Sequence, residues 1–92
     1  MRYVLLMQSG SPIPSSVESL ASGDEVTILL PLGRDGLASQ ADRELDSLRR
    51  EAERLESRLS SKGIGAKVVV EWGEAQPALD NCLRREEAVQ LK

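Results

Sequence analysis

Apolar residues recur between Ser39 and Lys62 at Ala41, Leu45, Leu48, Ala52, Leu55 and Leu59, with spacings of 4, 3, 4, 3 and 4. That is the period of an α-helix with a single apolar stripe. Ser39 with Asp42 reads as a variant capping box at its start, and Gly63 as the residue that ends it. Asp46 with Arg50 and Glu51 with Arg54 can pair along its polar side. A helix over about 39–62 is about 36 Å long at 1.5 Å per residue. The same stripe, alternating 3 and 4, also reads as a coiled-coil seam, with Glu44 facing Arg49 favourably and Glu51 facing Glu56 unfavourably in a parallel pair.

The other apolar runs are short and do not alternate. Tyr3 to Met7, Glu25 to Leu30 and Ala66 to Trp72 read as strands buried on both faces. Gln8-Ser9-Gly10-Ser11-Pro12 ends the first, Pro31 the second and Gly73 the third. Pro14 to Ala21 reads as a short helix with Val17, Leu20 and Ala21 inward, and Pro77 to Glu86 as a last helix with Leu79, Cys82 and Leu83 inward. Ala88 to Leu91 reads as either a short fourth strand or a frayed end. The order β-α-β-α-β-α(-β) predicts an α/β fold: a small, three- to four-stranded, mostly parallel sheet with flanking helices, in one domain over 1–92. Crossovers should be right-handed. Strands of about six residues span about 20 Å, so about ten residues of the long helix should overhang the sheet. That overhang, with two open sheet edges, predicts a homodimer.

Composition removes several functions. Fifteen acidic residues against twelve basic ones give a net charge of −3, which argues against a nucleic-acid partner. No run approaches the roughly 18 apolar residues of a membrane span, and the five-residue apolar run near the start is too short for a signal peptide. The chain is therefore expected in the cytoplasm. With no histidine and one cysteine, Cys82, Ser-His-Asp and Cys-His catalysis, a Cys-x-x-Cys pair and histidine metal sites have no residues to build them. Cys82 lies on the apolar side of its helix and reads as a packed thiol. No catalytic residue and no metal ligand is expected.

One constellation looks like a site. In an open parallel sheet, ligands bind beyond the carboxyl ends of the strands. Gln8, Ser9, Gly10 and Ser11 follow the first strand, Arg34 follows the second and Gly73 the third. Hydroxyls and the N–H groups of a glycine turn can hold an anion or a ribose, and Arg34 can pair with a phosphate. Each loop also reads plainly as a connection, Gln8 to Ser11 as a turn before Pro12 and Arg34 as the partner of Asp35.

The run Glu25-Val26-Thr27-Ile28-Leu29-Leu30, then Leu48, Leu55 and Leu59, then Gly63-Ile64-Gly65-Ala66-Lys67-Val68-Val69-Val70 and Gly73 resembles the universal stress protein family, over about residues 2 to 91. The resemblance implies a flavodoxin-like or adenine nucleotide alpha hydrolase-like fold, a stress-response role and, in members that bind it, ATP. Such members carry an Asp at the end of the first strand, where this chain has Gln8, and hold phosphates on a G-x2-G-x9-G-[ST] stretch that this sequence lacks. The family's fifth strand, a frequent dimer contact, is also missing. The resemblance thus implies a shortened, degenerate member with no cofactor, ATP binding in the family's manner not being expected from one chain. The function expected is a non-catalytic interaction domain that self-associates. The alternative is a nucleotide- or phosphate-binding stress module whose site is shared across a dimer.

Overall fold

Four parallel strands form one sheet in the order β3-β2-β1-β4. The computed structural model describes residues 1–8, 13–32 and 38–91, with backbone alone at 32, 38–45 and 72. The elements run β1 (Arg2–Leu6), a 3-10 turn (Ser15–Ser19), β2 (Glu25–Leu32), α1 (Ala38–Ser61), β3 (Gly65–Trp72), α2 (Ala75–Glu86) and β4 (Val89–Gln90). The expected α/β fold with one long helix is therefore present. Of the two alternatives at the end of the chain, the strand is the one formed. The expected short helix after the first strand is a single 3-10 turn with only Val17 buried.

The strands read as continuous apolar runs because both faces are covered. On one face Leu5, Met7, Val26, Ile28 and Leu30 pack with Val17, with Ala52, Leu55 and Leu59 of α1, and with Ile64 and Leu91. On the other, Val4 and Leu29 pack with Ala78, Leu79 and Cys82 of α2. The chain steps from β1 to β2 to β3 in one direction, then returns past β1 to β4. Crossovers of one hand place helices on opposite faces when that direction reverses. Ala52, Leu55 and Leu59 of the α1 stripe thus lie on the sheet, with Leu48 packed at its margin.

Pro31 does not stop β2, which runs on to Leu32. Met7 N–H donates to the Leu29 carbonyl (2.9 Å), so the next β1–β2 bond would need an N–H on residue 31. Proline has none, and β1 leaves the ladder there. The β3 side uses the alternate residues and continues to Leu32 opposite Trp72. Eight-residue strands span about 26 Å, so α1 exceeds them by about 10 Å rather than 16 Å. Its carboxyl end is level with the strand starts, because Gly63 O accepts from Gly23 N–H (3.1 Å) and Gly65 N–H donates to Asp24 O (3.0 Å). The surplus length therefore lies past the carboxyl ends of the strands. The helix opens at Ala38, which puts Ser39 inside it rather than at the cap.

Both helices end in the same motif. At α1, Ile64 N–H reaches the Leu59 carbonyl and Gly63 N–H the Ser60 carbonyl, a Schellman closure with Gly63 at φ +80°. At α2 the corresponding bonds are Ala88 to Leu83 and Glu87 to Arg84, but the left-handed position is occupied by Glu87 at φ 51°. An L-residue with a side chain pays about 1 kcal/mol or more there. Glu87→Gly is expected to raise stability by about 0.5–1 kcal/mol, visible as a higher thermal midpoint. An unchanged or lower midpoint would mean that Glu87 is not held in this conformation.

Candidate functional site

The carboxyl rim of the sheet is where open parallel sheets take their ligands. The chain reverses direction across the sheet at β1, so the carboxyl ends of β1 and β4 border a topological switch point. Gln8, exposed, stands at its mouth one residue beyond Met7. Gly73 follows β3 at φ +121°, and a Cβ there would meet nothing within 4 Å. Its glycine serves the left-handed turn into α2 and not a close contact. β3 and β1 are two strand spacings, about 10 Å, apart, and Leu6 stands level with Val69, three residues short of Trp72, so Gln8 and Gly73 share an edge of the sheet without touching a common small group. Ser9, Gly10, Ser11 and Arg34 lie outside the described residues.

Beneath Gln8 the packing is apolar. Met7, Val17 and Leu91 belong to one buried cluster, and Leu91 N–H donates to the Val4 carbonyl (2.9 Å). Leu91, unassigned by sequence reasoning to this place, seals the β1–β4 side; only the strand order reveals it. The chemistry the described rim offers is hydrogen bonding by the Gln8 amide and by backbone groups at Gly73.

Among the described residues the charged pairs lie away from Gln8. At the amino end of the sheet, the terminal amine meets Asp24 (3.1 Å), Arg2 meets Glu25 (3.1 Å), and Glu18 takes both Arg58 (2.9 Å) and Lys62 (3.2 Å). Beside β3, Lys67 pairs with Glu86 of α2 (2.9 Å) and Glu71 with Arg85. Hydrogen bonding from Lys67 holds the Glu86 carboxyl below its usual range. The backbone N–H of Ala21, then the terminal amine, do the same for Asp24. Cys82 is fully buried, and burial pushes its thiol up, which leaves it protonated and unreactive at neutral pH. Among the described residues no group of three or more Cys, Asp or Glu side chains is placed to hold a metal ion, and no helix is long and apolar enough to cross a membrane. A shallow depression of about 220 Å³ lies at the amino end of β2 and β3, lined by Glu25, Val26, Gly65, Ala66 and Lys67.

Glu18 gives a pH dependence. The Lys62 ammonium, by hydrogen bond and charge, and then Arg58 lower its pKa from an ordinary 4.5. A carboxylate whose pKa is depressed by folding stabilises the fold above its ordinary pKa, and that stabilisation is lost as the pH falls through the lowered value. Glu18→Gln is therefore expected to have a lower urea midpoint than the wild type at neutral pH and the same midpoint in acid below the lowered pKa. Parallel curves across this range would remove the ion pairs from the account.

The fold and rim define a doubly wound α/β fold with a four-stranded parallel sheet. Comparison with protein-family models, with curated proteins and with solved structures finds no match to this chain.

Proposed function

We propose that this chain is a small, non-catalytic interaction domain, similar to universal stress proteins, that acts by self-association in the cytoplasm. The observation that carries this reading is β3. It is eight residues long and lies at the end of the sheet order, so one side of its backbone has no strand partner among the described residues. Edges of that length and apolarity template pairing with another chain. The charge balance of the sequence supports a protein partner over a nucleic acid.

A second reading is a nucleotide- or phosphate-binding stress module with its site shared across the dimer. The switch point beside Gln8 and the α1 surplus past the same rim favour it, since both lie where open α/β sheets take ligands. A native mass spectrum, recorded with and without ATP and Mg²⁺, separates the two. A dimer mass that takes up no nucleotide supports the first reading, and a dimer carrying nucleotide supports the second. A monomer across the micromolar range overturns both.

A further inference from the structure

The free edge of β3 is complementary to itself. Because Gly65 N–H donates to Asp24 O on β2, residues 65, 67, 69 and 71 aim their backbone groups at β2. Ala66, Val68, Val70 and Trp72 therefore aim N–H and C=O outward, along the open edge. Two such edges meeting antiparallel about a two-fold axis must set outward residues opposite outward residues, which leaves registers centred on a single residue. Centred on Val68 or Val70, Lys67 faces Val69 or Gly73. Centred on Val69, Val68 faces Val70, and Lys67 of each copy faces Glu71 of the other, twice by symmetry. Opposite charges directly across a ladder stabilise it. Inside each chain Lys67 already holds Glu86 and Glu71 holds Arg85. The pairing would therefore join four side chains of alternating charge on each side of the axis.

We propose that the β3 edge pairs with the β3 edge of a second copy, antiparallel and centred on Val69, making one continuous eight-stranded sheet. The opposite edge cannot serve, because β4 has only two residues. Helix α1 packs over β2 and β3, and the two-fold axis puts the second α1 on the same face, antiparallel and about 10 Å away, the distance at which helices pack. One flank of α1 is engaged by Glu18, which holds Arg58 and Lys62. On the other side of the buried stripe, opposite Arg58 and Lys62, helical spacing sets Arg49, Glu53 and Glu56, again of both signs. Contact between the helices adds to the area that a short ladder alone would bury.

This inference rests on the self-association reading and names the surface for it. Val69 lies on the axis as a non-hydrogen-bonded pair, whose Cα atoms sit about 4.5 Å apart, within the range a disulfide spans. In a Cys82→Ala background, Val69→Cys is expected to give a cross-linked dimer under oxidised glutathione. Lys67→Cys, several residues from its own symmetry mate, is expected to give none. Val68→Pro removes an outward N–H and no β2 ladder bond. Its far-UV spectrum should stay native while dimer dissociation strengthens at least about fivefold, two hydrogen bonds being lost per dimer. A wild-type dimer in which Val69→Cys fails to cross-link overturns the β3 assignment and leaves self-association standing. A wild-type monomer at all concentrations overturns both.

Discussion

Leu55→Ala is expected to lower unfolding free energy by about 2–5 kcal/mol, the cost of truncating a buried leucine and leaving a cavity behind. Leu55 is 2 % exposed, and with Ala52 and Leu59 it forms the buried anchor by which α1 holds its face of the sheet. Ala52 contributes one methyl group, so the two leucines supply most of that contact. A domain of this size has a net stability of about 5–15 kcal/mol, and the variant would sit near the lower limit of folding. Urea unfolding followed by circular dichroism measures the loss. A cost under 1 kcal/mol would mean that Leu55 is not in a packed core. A cost that grew with protein concentration would place the stripe in a helix–helix seam, since only an intermolecular contact is linked to concentration.

Gly63→Ala should produce the second largest loss, about 1–2 kcal/mol from the left-handed backbone alone. Gly63 sits at φ +80°, and an added Cβ would come within 2.6 Å of Ser22 Oγ. The position joins the end of α1 to the turn before β2, since its carbonyl accepts from Gly23 N–H. Serine can rotate its hydroxyl away, so the steric part is separable. In a Ser22→Ala background the cost should fall to that of the backbone conformation. An equal cost in both backgrounds would show that the hydroxyl moves freely, and no cost in either would contradict the Schellman closure.

The two substitutions also mark the limit of what could be read without the fold. Gly63 and Ile64 announce a helix end in the sequence, because glycine followed by a hydrophobe has a local cause. Glu87 makes the same turn without any such signal, held there by the Leu83 and Arg84 carbonyls and by the pull of β4 into the sheet. Pro31 reads locally as a stop, yet β2 continues through it because the bond that proline forgoes belongs to the β1 side alone. For the candidate rim, the positions of Gln8 and Gly73 after their strands were legible. Their separation was not, since the sequence order of strands does not disclose the spatial order β3-β2-β1-β4.

Local chemistry was enough for the long helix, the three main strands and the last helix: the 3–4 spacing from Ala41 to Leu59, the β-branched run at Val68 to Val70, and the glycine turns each act over a few residues. That the strands are parallel and joined by helical crossovers follows from those, because apolar runs covered on both faces require helices on either side, whereas the fourth strand, Val89–Gln90, was decided only by its pairing with β1. Tertiary structure alone decided what the α1 stripe faces, since a sheet and a second helix bury the same leucines equally well. It also decided which strand is left at the edge. Val-Val-Val in β3 and Ile-Leu-Leu in β2 are both apolar enough for a sheet centre. Only the return of α2 to the far side of β1 leaves β3 outermost, with Lys67 and Glu71 spaced to meet their counterparts in another copy.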